Sequence, residues 1–379
     1  MIEQTTLTTG HAMNRLYIGL DVHKASTSVA LAFSGNEEPE HYGKAPSDLN
    51  GFLRVLRRIE KKHLLTKEQI RLCYEAGPTG FVLARRLRHL NYDCMVTAPS
   101  LIPIRSGDRV KTDRRDARKL AGLLRAGELT AVHIPDAADE IIRDVCRART
   151  DAVSEQSRCR QQLGALLLRN GYHYTGTCNW TEEHMRYLRE LVLPDPAQKM
   201  VLEEYLQRLD ASVQQVARID LQMTQLLEHW PRRPMVEALQ SFRGFRQTAA
   251  MILVSELGDF CRFDHPRQLM AYVGLVPSED SSGGRRRQGS ITKCGNSHAR
   301  WILIEVAHHY QLPPKVSKEL SKRQENISRE VKALSWRAQN RLSSRYHHLR
   351  CRGLHPNKIK TAVARELLAF VWELAQMMR

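Results

Sequence analysis

Four carboxylates stand out for where they fall in the chain. In KTDRRDARKLAGLLRAGEL, from Lys111 to Leu129, Asp113 and Asp116 lie three positions apart inside a strongly basic run. On a helix that spacing puts both side chains on one face. Asp21 follows the apolar run LYIGL, and Glu75 closes IRLCYE; both segments read as strands. In open α/β sheets, sites gather outside the carboxyl ends of strands. Acids from two strand ends and one helix face can therefore converge. An oxygen-only donor set of this kind suits Mg2+, which takes carboxylates, waters and substrate phosphate. Beside a polyanion it suits two-metal phosphodiester chemistry, one ion activating the nucleophile and the other stabilising the leaving oxygen. Each acid alone has a plainer reading. Asp113 could cap its helix, Asp116 could pair with Arg114 or Lys119, Asp21 could order a turn, and Glu75 could be solvated.

A second constellation lies in SSGGRRRQGSITKCGNSHAR, which holds Ser281, Ser282, Gly283, Gly284, Arg285, Arg286, Arg287, Gly289, Lys293, Gly295 and Arg300. Glycines let backbone amides approach phosphate closely, and arginines bind it through a forked set of donors. A serine beside such a cradle could attack a phosphodiester. The alternative is a solvated basic loop whose serines cap a helix beginning near His298. Upstream, VEALQSFRGFRQTAAMILVSELGDF reads as helix, tight turn at Gly244, helix. It resembles a helix–hairpin–helix element that binds backbone phosphate at a helix N-terminus. Phe245 and Arg246 follow Gly244 where a second glycine is usual, although Arg243 and Arg246 could compensate electrostatically.

The bulk composition points to the same kind of partner. The 379 residues carry 58 Lys plus Arg against 41 Asp plus Glu, a net charge of +17. Such an excess favours a polyanion, because Lys and Arg release condensed counterions from phosphates. No apolar run approaches the roughly 20 residues of a membrane span, and the N-terminus shows no signal-peptide pattern. Eight cysteines are scattered without a C-x-x-C pair, which argues against a zinc site or a disulfide framework. The expectation is a reduced, cytoplasmic protein that avoids membranes.

The elements that must position these residues change character along the chain. LYIGLDVHKASTSVALAF reads as two strands joined by a tight turn, and DLNGFLRVLRRIEKKH as a helix capped by Asp48 or Asn50. IRLCYEA is a strand that stops at the turn GPTG, which launches the helix FVLARRLRHL. YDCMVTAPSLIP supplies a further strand, and the helix bearing Asp113 and Asp116 comes next. Strands alternating with helices predict an α/β layer fold with a mixed sheet. From 136 to 232, long proline-poor stretches with helical periodicity suit a helical hairpin or coiled coil, hence a dimerisation arm. Residues 233–379 mix helix with the glycine-rich loop and end in basic helix. The basic tail is expected to position phosphate rather than to read sequence. His308–His309 and His347–His348 read as surface or interface residues.

Three segments carry a family resemblance. YIGLDVHK, CYEAGPTG and VKTDRRDARKLAGLL are similar to the three motifs of the RuvC-like domain in the DEDD transposases of bacterial insertion sequences. That family includes the pilin-gene invertases and the bridge-RNA-guided recombinases. AYVGLVPSEDSSGGRRRQGSITKCGNSHAR resembles the family's transposase domain. The resemblance implies a RuvC-like (RNase H-like) α/β catalytic domain at 16–135 after a leader at 1–15. It further implies a helical coiled-coil region at 136–232 and a mainly α transposase domain at 233–379. It places Asp21, Glu75, Asp113 and Asp116 on the metal-binding tetrad, with Mg2+ as cofactor, and Ser282 on the catalytic serine. Ser281 remains the neighbouring alternative. It also implies donor and target DNA, a structured guide RNA, and assembly into homodimers or homotetramers. The expected function is site-specific DNA recombination. A metal-only RuvC-like nuclease or junction resolvase, or a noncatalytic nucleic-acid-binding protein, are the alternatives.

Overall fold

The computed structural model describes residues 15–103, 112–280 and 287–379. The chain divides into two compact units, Met1–Ile134 and Pro135–Arg379. Within the described residues, the first is a five-stranded sheet with helices on both faces. Its elements are β1 (Leu16–Val22), β2 (Ser26–Phe33), β3 (Glu40–Pro46), α1 (Leu49–His63), β4 (Ile70–Glu75), α2 (Val82–His89), β5 (Asp93–Thr97) and α3 (Asp113–Ala126). The strand order is β3-β2-β1-β4-β5. β1 pairs antiparallel with β2 but parallel with β4, and β4 is parallel to β5. The expected mixed sheet is present.

β1 shows how local pattern becomes architecture. Alternate residues of a strand face opposite sides of a sheet. Leu16, Ile18 and Leu20 enter the core formed with Phe52, Leu56 and Ile59 of α1 and Ala84 and Leu87 of α2. On the opposite side, β1 and β2 meet α3 through small residues: Ala30 and Ala32 of β2 pack with Ala117 and Ala121 of α3. Gly19 is the contact that sets the spacing. A Cβ there would sit 2.1 Å from the Ala117 carbonyl oxygen and 2.4 Å from the Ala121 nitrogen. Arg118 and Arg125 tie the outer side of α3 to the β2–β3 connection, donating to the carbonyls of Pro39 and Glu37. Asp48 caps α1 by accepting from the Gly51 amide, which selects it over Asn50. β3 was not anticipated in the sequence. Its residues, EHYGKAP, lack apolar alternation because it is an edge strand with little of its surface buried.

The second unit contains α4 (Ala137–Arg169), α5 (Glu182–Glu190), α6 (Pro196–His229), α7 (Arg233–Gln240), α8 (Gln247–Leu257) and α9 (Pro266–Tyr272). A two-stranded ribbon, β6 (Pro277–Glu279) and β7 (Gln288–Ile291), precedes α10 (Ser297–Ala307), α11 (Lys318–Arg323), α12 (Arg329–Cys351) and α13 (Pro356–Met377). α4 and α6 run antiparallel, as their crosslinks order it. Asp139 accepts from Trp230 and Arg232, Arg149 pairs with Asp220, and Arg208 pairs with Glu155. Their far ends form a core of their own with α5. At the base, Ile142, Cys146, Met223 and Leu227 join the core of the C-terminal helices. This shared core makes the hairpin part of the second unit. Leu206 and Leu209 lie inside the hairpin, so their apolar stripe is satisfied within one chain. Among the described residues no helix is long and apolar enough to cross a membrane.

Because Gly19 sets the distance between β1 and α3, Gly19→Val should cost at least the 1–3 kcal/mol typical of overpacking. Denaturant unfolding would read this. An unchanged midpoint would show that α3 can move away from the sheet freely.

Candidate active site

The strand register brings the first two acids together. β1 and β4 pair in parallel up to Leu20 opposite Tyr74. The next residues, Asp21 and Glu75, therefore lie side by side at the carboxyl ends of neighbouring strands spaced about 4.8 Å apart, Asp21 still paired with Ser28 of β2 and Glu75 with Thr97 of β5. Two residues back from Asp21 is Gly19, packed on α3, and two back from Glu75 is Cys73, packed on Leu120 and Leu124 of α3. Both acids thus stand on the α3 face. The turn after Glu75 is tied down by the Tyr74 hydroxyl, which donates to the Gly80 carbonyl at 2.9 Å.

α3 supplies the other two acids from its first turn. Thr112 caps the helix, its hydroxyl accepting from the Arg115 amide, so Asp113 is freed from a capping role. Asp113 and Asp116 each precede by four residues a side chain buried against the sheet, Ala117 and Leu120 respectively. They therefore sit on the inward edge of the helix. Anionic side chains are favoured there by the positive end of the helix dipole.

Two basic side chains contact Asp21 and Asp113, and Glu75 and Asp116 are not among their partners in these contacts. His23 Nε2 lies 3.0 Å from Asp21 Oδ2 and 3.6 Å from Asp113 Oδ1. Lys44 Nζ, from the edge strand β3, lies 3.4 Å from Asp113 Oδ2. The Lys44 hydrogen bond holds the Asp113 carboxyl below its ordinary range, with the helix-end amide and the His23 charge adding to the effect. Among the described residues, Asp21, His23 and Asp113 form a group able to share one metal ion. Carboxylates brought close together on a polar and partly exposed surface are a donor set that fits a divalent cation. His23 was not singled out in the sequence. Its signal was its place two residues beyond Asp21, in the turn that closes β1 on β2.

In the second unit, Ser281, Ser282, Gly283, Gly284, Arg285 and Arg286 lie outside the described residues. The segment leading into α10 is held tightly. Glu256, 1% exposed, accepts both forks of Arg147 at 2.8 and 3.1 Å and the Asn296 amide at 2.6 Å. Burial pushes the Glu256 carboxyl up, but Arg147, Asn296 and Arg143 more than offset it and leave the group below its ordinary range. Asn296 in turn caps α10, accepting from the Ala299 amide. Gly295, with φ of +74°, passes so close to Tyr272 that a Cβ would meet its carbonyl oxygen at 1.9 Å.

The remaining basic candidates divide by what they touch. Arg300 donates to the Val273 and Cys294 carbonyls, which fastens the same turn. Arg243 donates to the Leu312 and Pro313 carbonyls. Arg246, Arg287 and Lys293 are exposed. The turn between α7 and α8 has Gly244 at φ +88°, where a side chain would meet Val306. Phe245, in the place of a second glycine, is fully buried and anchors the turn in the core.

Comparison with known proteins gives these features a common source. The family model described as transposase IS116/IS110/IS902 matches residues 236–320, and the DEDD transposase model of the IS110 type matches 18–171. A putative transposase of Sinorhizobium fredii, y4qE, is 42% identical over 361 residues, covering 95% of this chain and 88% of its own. The chain belongs to the IS116/IS110/IS902 family of transposases. The transposase for insertion sequence element IS1533 of Leptospira borgpetersenii is 29% identical over 338 residues, with 88% of this chain and 96% of its own length aligned. A probable family 20 transposase of Pseudomonas aeruginosa is 27% identical over 236 residues, with 62% and 69% aligned. In this transposase the DEDD match spans Asp21, Glu75, Asp113 and Asp116. The second match spans Glu256, Asn296 and the glycine- and arginine-rich block.

Glu256→Gln should leave Arg143 and Arg147 without their counter-charge and cost roughly 3 kcal/mol, the low end for a broken buried pair because Arg147 is half-exposed. The carboxyl is held below its ordinary value when folded, so its stabilisation is present above the unfolded pKa. It is lost as pH falls through the folded one. The stability gap between wild type and Glu256→Gln, read by denaturant unfolding, should therefore shrink below about pH 4.

Proposed function

We propose that this transposase cleaves and rejoins DNA with two sets of groups: Asp21, Glu75, Asp113 and Asp116 as a divalent-cation site, and Ser282 as nucleophile. The observation that supports the reading is that Asp21 and Asp113 lie with His23 in a group able to share one ion, while Glu75 ends the neighbouring strand and Asp116 lies in the same helix turn as Asp113. Four oxygen donors suit Mg2+. A bound divalent ion would polarise a phosphodiester and stabilise charge on a departing oxygen. Asp21 and Glu75, on the parallel strand pair, would supply two of the ion's ligands, and Asp113 and Asp116 would supply two more from the α3 N-terminus. The Lys44 hydrogen bond keeps the Asp113 carboxyl below its ordinary range.

In this reading the Ser282 hydroxyl attacks phosphorus, a serine–phosphate ester forms, and a DNA sugar oxygen leaves with a proton in place of the one the serine gives up. The bond energy is kept in the ester, so a second sugar hydroxyl can reverse the step without ATP. Arg285, Arg286 and Arg287 offset charge growing on the phosphate oxygens. Lys293, Arg246, Arg243 and Arg300 are assigned to the nucleic-acid-binding surface, the last two through turns they hold. The family resemblance adds donor and target DNA, a structured guide RNA, assembly as a homodimer or homotetramer, and a cytoplasmic setting.

Denaturing gels of protein incubated with element-end DNA test the chemistry. Ser282→Ala should eliminate covalent protein–DNA adducts, Ser281→Ala should keep them, and Asp21→Asn should remove cleavage while leaving the fold intact. Adducts surviving in Ser282→Ala move the nucleophile. Cleavage without adducts in wild type makes the protein a metal-only nuclease. For the guide, purified protein should retain one discrete RNA whose affinity falls steeply between about 50 and 200 mM salt, by about a thousandfold if six phosphates are contacted. Full recombination by RNA-free protein would remove the guide from the mechanism.

A further inference from the structure

The proposed acid site contains, beside Asp21 and Asp113, a group that oxygen chemistry does not require. His23 stands 54% exposed at the side chain, yet its Nε2 points inward, at Asp21 and Asp113 together. Its backbone is fixed by the turn that joins β1 to β2, where the His23 amide donates to the Ser26 carbonyl at 3.1 Å. The next residue is held as well, since Ser47 Oγ donates to the Lys24 carbonyl at 2.6 Å. The imidazole is thus presented from a clamped turn rather than from a free loop. Lys44, at 3.4 Å from Asp113, approaches that acid from the edge strand.

The spacing bears on what the ring is for. Two ligands at adjacent corners of an octahedral ion, each about 2.1 Å from it, lie ~3.0 Å apart, and opposite corners lie ~4.2 Å apart. His23 Nε2 is 3.0 Å from Asp21 and 3.6 Å from Asp113. The three ligand atoms all fall within 4.8 Å of one another. A hydrogen bond also accounts for 3.0 Å. The clamped turn aims the ring nitrogen at two carboxylates from separate elements, which is also what sharing one ion requires.

We infer that His23 is a ligand in this site, giving it a mixed nitrogen and oxygen donor set that prefers a first-row transition ion such as Mn2+ to Mg2+. The inference rests on the acid-site reading above and deepens it by assigning a fifth ligand and the class of ion. Imidazole is a good ligand for transition ions and a poor one for Mg2+, which keeps to carboxylates and water. A single nitrogen therefore shifts selectivity without dismantling the oxygen set. The neutral ring would bind through the Nε2 lone pair, replacing the hydrogen bond to Asp21. Lys44 would give up its contact with Asp113 as the ion's charge takes over.

The test is Mn2+ binding by the full-length, untagged chain, freed of nucleic acid in high salt. Titration calorimetry gives affinities for Mn2+ and Mg2+, and pulsed electron paramagnetic resonance detects nitrogen coupled to bound Mn2+. Wild type should bind Mn2+ more tightly than Mg2+ and show coupling to a histidine nitrogen. His23→Ala, a change at an exposed turn, should keep the fold by circular dichroism and abolish the coupling. It should weaken Mn2+ at least tenfold, the low end of the ~10–100-fold lost with even an outer-shell partner. Mg2+ should change by less than about threefold, since its oxygen ligands remain. Mn2+ that is lost in Asp21→Asn but carries no nitrogen coupling in wild type would overturn the His23 assignment and leave the acid site standing. Absence of any Mn2+ or Mg2+ binding dependent on Asp21 would overturn both.

Discussion

The approach of α3 to β1 at Gly19 is the contact on which the first unit's site depends. A single missing Cβ lets a helix backbone lie against a strand, with the Ala117 carbonyl where a side chain would otherwise stand. Alanines on β2 and α3 extend the same close seam. The helix is held there from its outer side by Arg118 and Arg125, which reach the β2–β3 connection. Its N-terminus consequently ends near the carboxyl end of β1, where Asp113 approaches His23. Asp113 in its first turn then comes within reach of His23 and Asp21, and the helix dipole lowers the cost of gathering like charges. Were α3 displaced by even the width of a methyl group, Asp113 would lose its approach to His23.

The second unit depends on a different kind of constraint. There the organising feature is charge buried with full compensation. Glu256 is buried in the last turn of α8, and three partners from α4 and the α10 cap satisfy it. A buried pair of this sort contributes little net stability compared with apolar packing, but it is specific about geometry. It fixes the base of the long hairpin to the start of α10. The backbone just before α10 is fixed too, because Gly295 and Gly274 allow two chain segments to touch where side chains could not fit. The glycine- and arginine-rich block is therefore bounded by two anchored ends, the ribbon strand β6 on one side and the β7–α10 segment on the other.

The basic residues likewise divide into structural and free. Arg143, Arg147, Arg243, Arg300 and Arg323 spend their donors on carbonyls or a buried carboxylate. A composition of +17 thus overstates the charge at liberty to meet phosphate. Arg246, Arg287 and Lys293 keep exposed side chains, and they flank turns that are otherwise fixed.

Much of the plan was legible in the residues. Period-two apolar runs identify β1, β4 and β5, because those strands are buried and must alternate or stay apolar. The spacing of Asp113 and Asp116 puts them on one helix face, a purely local property of ~3.6 residues per turn. Proline-poor helical periodicity gives the two long helices of the second unit. The edge strand β3 escaped, since an edge buries too little to impose a pattern. Other outcomes belong to the tertiary structure alone. That the apolar stripe containing Leu206 and Leu209 is consumed inside one chain depends on which face meets which. That His23 joins Asp21 and Asp113, and that Glu256 reaches Asn296 forty positions away, depend on distances no local pattern encodes. A side chain's chemistry is set by its own residue type, but its neighbours are set by backbone approach. Here that approach is decided by Gly19 and Gly295, where the absence of an atom lets distant segments touch.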